Sequence, residues 1–224
     1  MNDEIRGKKI QGLNKGCGGM MRAAPIGYMN VGSSEELIDL ALRSCAITHG
    51  DLEAQMSSAI ISLTIRNILD GFSLGDSLST SFNSVCAKRN HDENYIFMKV
   101  LEDARLYSKE QELSCRTVNH LPTGLGYKNH FLSIPVLSQV AWGVLIADKM
   151  DKNNHIKKEK IFRDVIGCCA TIQGDSDSVA SILGNILGTA WGESALPKDL
   201  VDNVAHKDSL YQAAGSLYLS LERL

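Results

Sequence analysis

From Ser33 onwards the apolar residues recur at three- and four-residue spacing, and no stretch alternates apolar with polar for more than a few residues. That pattern suits helices packed on helices and leaves no segment from which to build a sheet. Proline, at 4 of 224 residues, seldom interrupts it. The expectation is an all-α chain, a compact multi-helix domain covering residues 1–224. Hydrophobic residues at 44% and charged residues at 22% are globular proportions and exclude disorder as the main state.

Local signals place the helices. Ser33 with Glu36 three residues on makes a capping box, opening a helix with Leu37, Leu40, Ala41, Ser44 and Cys45 on one face. It ends near His49-Gly50, and Asp51 caps the next, whose inner face holds Met56, Ile60, Leu63, Thr64 and Ile68. Further helices are expected at about 74–88, 92–112, 136–148 and 157–171, then from the 174–178 segment to about Trp191, and at 205–222. The Pro25-Ile26-Gly27 step is expected to limit any helix around it. Residues 119–134 form the longest non-periodic stretch, of a kind that is usually functional. Ala180, Gly184 and Gly188 repeat every four residues, which predicts a smooth ridge for close helix approach on a central helix apolar nearly all round.

Charge and composition narrow the function. Lys and Arg total 23 against 26 Asp and Glu, a net charge of −3, so no nucleic acid or anionic membrane is expected as a partner. The apolar run Ile134–Ala147 is too short to cross a bilayer. The first residues carry no apolar secretion segment, and six cysteines without C-x-x-C spacing read as reduced thiols, so a cytoplasmic protein is expected.

Three segments carry chemistry. Gly174-Asp175-Ser176-Asp177-Ser178 puts two carboxylates and two hydroxyls at a helix start. They suit a hard cation such as Mg²⁺, or else Asp175 or Ser176 caps the helix with Asp177 in its first turn. Gly16-Cys17-Gly18-Gly19 is a glycine cluster whose backbone N–H groups can turn towards an anion, or a plain turn. Arg22 beyond it pairs with a phosphate or with a carboxylate on a neighbouring helix. In Thr48-His49-Gly50-Asp51, His49 contacts a ligand or satisfies the last carbonyls of its helix.

Taken in order, Asn14–Gly27, Ile47-Thr48-His49, Gly174–Gly184, Gly188–Gly192 and Leu196-Pro197 resemble the ADP-ribosylglycohydrolase family, over about residues 10–200. The resemblance implies an all-α fold with two Mg²⁺ ions, Mn²⁺ in some members, in a central cleft. It also implies hydrolysis of the N- or O-glycosidic bond between ADP-ribose and a protein side chain. Carried over, Asp175, Asp177 and Ser178 are metal ligands, and Gly16, Cys17, Gly18, Gly19, Met20, Arg22 and His49 bind the substrate. No catalytic residue is assigned. The family's Thr-Asp-Asp-Thr-type motif has no counterpart, since the chain holds no Asp-Asp pair. The expectation is therefore a domain lacking the family's N-terminal helices, with a weak or partial metal site. It hydrolyses its substrate if the acidic segment is supplied, and otherwise acts as an inactive ADP-ribose-binding or helical interaction protein. A second copy or a partner chain is expected over the apolar helices left uncovered.

Overall fold

The computed structural model describes residues 14–89, 94–110, 113, 131–152, 155–172 and 174–221. In chain order its helices are α1 (Gly18–Met21), α2 (Ala24–Tyr28), α3 (Ser34–Ala46), α4 (Leu52–Leu69), α5 (Leu74–Arg89) and α6 (Asn94–Glu110). There follow α7 (Ser133–Lys152), α8 (Lys158–Cys169), α9 (Ser176–Trp191), a 3-10 turn (Glu193–Ala195), α10 (Lys198–Asp202) and α11 (Lys207–Leu221). Among the described residues no strand forms; one isolated antiparallel bridge joins Gly16 to Leu132. The all-α expectation holds. No described helix is long and apolar enough to cross a membrane. The 119–134 stretch lies, up to residue 130, outside the described residues, as does Cys115.

Two helices make the centre. α7 is buried without a break from Ser133 to Val144, and Trp142 is its largest fully buried side chain. α4 is buried along most of its length, between α3 and α5. Both starts expected for α3 and α4 are present. Ser33 Oγ accepts from the Glu36 N–H at 3.2 Å, and an Asp51 carboxylate oxygen accepts from the Glu53 N–H at 2.9 Å. Each cap satisfies an amide the first helical turn leaves without a partner.

Polar residues inside α4 hold the next layer. Ser58 and Ser62 donate to the carbonyls of Gly19 and Ala23, at 3.2 and 3.1 Å. Spaced four apart, the two hydroxyls lie on one face of α4 and fasten the α1–α2 segment along it. The helices around Pro25 are short, as expected: α1 ends at Met21, and Pro25 sits in the first turn of the five-residue α2, where its missing N–H costs nothing.

The expected role of the small-residue ridge of α9 is corrected. A Cβ placed on Gly184 or Gly188 would meet no neighbouring atom within 4 Å, so neither glycine mediates a close approach. α9 buries one face only, through Val179, Ile182, Leu183, Ile186 and Leu187. The close approach of α7 to α9 runs instead through Gly143, where a Cβ would lie 2.7 Å from Leu183 Cδ2. α11 forms where the last amphipathic helix was expected, yet every side chain described from Asp208 to Ser220 is exposed.

Candidate functional site

The amino-terminal tip of α9 meets two other segments: the stretch from Asn14 to Arg22, and the Thr48-His49 turn between α3 and α4. Gly174, at φ +112°, takes a backbone conformation that side chains disfavour and turns the chain into α9. Asp175 stands at the N-cap but makes no side-chain capping bond. Its carboxylate turns inward, 7% exposed, and accepts from the Cys17 thiol at 2.8 Å. Asp175 thus holds the N-cap position expected of it, with Asp177 in the first turn, but without the capping hydrogen bond. Asp177, two residues on, is exposed. Ser178 is buried, its hydroxyl 3.5 Å from Cys17 Sγ and 3.2 Å from Met21 Sδ.

The glycine segment is built around this contact. Gly16 N–H donates to Asn14 Oδ1 at 2.9 Å, and Cys17 N–H to the Phe131 carbonyl at 3.1 Å. Lys15 reaches the opposite way and donates to Glu53 Oε1 at 2.9 Å, where Glu53 is 2% exposed. Gly18 and Gly19 open α1, so their N–H groups have no partner within that helix. Gly19 packs against Cys45 so closely that a Cβ there would collide with Cys45 Sγ. Burial, and then the hydrogen bond to Asp175, push the Cys17 thiol up from 9.0 to about 11, so it stays protonated.

His49 rests on the same glycines. A Cβ on Gly18 would lie 3.1 Å from His49 Nε2, and one on Gly16 would lie 3.4 Å from it. The ring does not close off helix carbonyls. Its Nδ1 meets Thr48 Oγ1 at 2.7 Å, while the backbone N–H of His49 donates to the Cys45 carbonyl at 2.9 Å. Burial, and secondarily the charge of Arg22, hold His49 below its ordinary value of 6.5, which favours the neutral ring. Arg22 does not pair with a carboxylate of a neighbouring helix. It donates to the Ser44 carbonyl at 3.2 Å and to the Thr48 hydroxyl, and so ties α1 to the end of α3.

Of the residues expected at the site, Gly16, Cys17, Gly18, His49, Asp175 and Ser178 therefore gather round one tip. Gly19 serves packing, and Met20, at 1% exposed, belongs to the core; its neighbour Met21 is the one facing Ser178. Sequence reading missed Lys15 and Glu53. The only signal for them was an acidic residue two positions past the Asp51 cap and a lysine beside the glycine cluster.

The donor set decides what a metal would find here. The inward Asp175 carboxylate already accepts from a neutral thiol, and Asp177 is exposed to solvent. Among the described residues, no group of three His, Cys, Asp or Glu side chains stands ready to hold an ion. Such a set fits the edge of a largely hydrated hard cation and does not fit an enclosed two-ion cage. Compared with known proteins, residues 2–223 match the family profile described as ADP-ribosylglycohydrolase. A search of curated proteins gives no match.

Proposed function

The chain belongs to the ADP-ribosylglycohydrolase family, and from that premise we propose that it binds ADP-ribose, free or carried on a protein side chain, at the tip of α9. The observation that carries this reading is convergence. Cys17 and Asp175, 158 positions apart, lie 2.8 Å from each other, and His49 packs on the glycines to either side of Cys17. Three of the five segments that resemble the family in sequence thus meet at one tip. In this reading the N–H groups of Gly18 and Gly19 and the ring of His49 face the ribose and diphosphate. Mg²⁺, or Mn²⁺ in its place, binds weakly at Asp177 with Asp175 and Ser178 beside it.

The reaction proposed is hydrolysis of the bond between ribose C1 and a side-chain nitrogen or oxygen. Water's hydroxyl goes to C1 and its proton to the leaving side chain. That step needs a carboxylate free to steer water, and the Cys17 thiol already engages Asp175. Hydrolysis therefore waits on acidic residues from outside these segments, on this chain or another. The same bond favours a second reading, a binding protein that holds ADP-ribose without turning it over. Both readings include a second chain over the open side of α9.

Two assays test this. ADP-ribose at a hundred times its Kd stabilises a one-site protein by about 2.7 kcal/mol, so thermal denaturation rises with ligand if the chain binds it. Little release of ADP-ribose from a modified protein is expected from the chain alone. Turnover at roughly 1 s⁻¹ or faster that disappears in Asp177→Ala would show that hydrolysis is complete within it.

A further inference from the structure

The open side of α9 and the apolar side of α11 face each other across a cavity. Gly184 and Gly188 form part of a half-buried floor on which a Cβ at either glycine would meet nothing within 4 Å. Leu210, Tyr211 and Ala214 of α11 line the other wall of the intervening cavity, which measures about 400 Å³. Packed interiors hold few voids larger than a water molecule, so this is a groove and not a helix–helix interface.

α11 has the form of a helix made for a contact. At about 100° per residue, Leu210, Tyr211, Ala214, Leu217 and Tyr218 fall within an arc of roughly 120°. Asp208, Gln212 and Ser216 occupy the opposite side. Yet Leu210 is 58% exposed and Tyr218 62%, and Leu200 and Val204, before the helix, are each 46% exposed.

We infer that this face is the interface of a two-fold dimer, in which α11 of each protomer seats its Leu210–Leu217 row in the groove beside the partner's α9. Three features argue for a second copy. The patch carries both halves of a match, a recess at Gly184 and Gly188 between Asn185 and Thr189 and a row of apolar knobs beside it, as a self-complementary two-fold contact requires. On the order of 600 Å² of apolar side chain lies exposed across Leu200, Val204 and the α11 row. That approaches the roughly 800 Å² per partner of a standard interface and exceeds the few hundred of ordinary surface patches. Several polar groups of the groove are also engaged within the protomer. Tyr28 Oη meets Thr189 Oγ1 at 2.6 Å, Tyr211 donates to Glu193, and Lys207 pairs with Asp202 at 3.0 Å. The groove is thus set for apolar contact more than for a polar ligand.

The inference rests on the second-chain part of the functional reading and names that chain. It is independent of ADP-ribose binding, which a monomeric variant retains if the two are separate. Light scattering over the micromolar range should give twice the 24.4 kDa of the chain. Leu217→Asp should raise the dimer dissociation constant roughly tenfold or more, whereas Leu219→Asp, on the far side of the helix, should leave it unchanged. Gly188→Leu should also give monomers, by filling the groove, and should melt no lower than wild type. A 24.4 kDa species at every concentration would overturn the inference. So would a Gly188→Leu variant that still dimerises, or Leu219→Asp acting as strongly as Leu217→Asp.

Discussion

The Cys17–Asp175 contact joins the two motifs that sequence alone could only place side by side. Two carboxylates at a helix start, 175 and 177, were legible; which of them turns inward was not. That depends on the φ of +112° at Gly174 and on a thiol arriving from the other end of the chain. The resemblance named His49 with the glycine segment but not its state, which burial against Gly16 and Gly18 decides. Its pKa is held below the ordinary 6.5, so below pH 6.5 the unfolded chain takes up a proton that the native ring refuses. Stability from the neutral ring is complete above pH 6.5 and is lost as pH falls from there towards the lowered native pKa. Urea midpoints of wild type and His49→Gln should therefore converge between pH 7.5 and 5.5, with wild type losing more. A difference that stays constant over that range would refute this account of the ring.

Helix positions and starts were the most legible part of the chain, because caps and apolar spacing are local. Ser33 and Asp51 cap as expected, and helix ends differ by only a few residues. Glycine roles were not legible, since they depend on what lies opposite. The α9 ridge read as a close-packing surface and faces a groove. Gly19 and Gly27 carry the tight contacts: a Cβ on Gly27 would lie 2.5 Å from the Ser62 carbonyl, and one on Gly19 would strike Cys45. The expected outcome is a clear contrast. Gly27→Ala should lose about 1–3 kcal/mol in urea denaturation. Gly184→Ala should lose nothing or gain up to about 1 kcal/mol, the ordinary helix preference for alanine. Equal losses would mean that α9 packs against something tightly after all.

At the scale of the whole molecule, family and fold class followed from ordered motifs and helical periodicity, and the structure and the family match agree with both. The placement of α11 did not follow. Amphipathic spacing says that a helix has an apolar side, not whether its own chain covers it. The central claim is that segments around Cys17, His49 and Asp175 form one ADP-ribose site. Calorimetric titration of ADP-ribose, with and without Mg²⁺, tests it most directly. The account predicts one saturable site per chain, weakened tenfold or more, about 1.4 kcal/mol, by His49→Ala and by Asp177→Ala, and unchanged by Gly188→Leu. No saturable heat under either condition, or an affinity indifferent to His49 and Asp177, would contradict it.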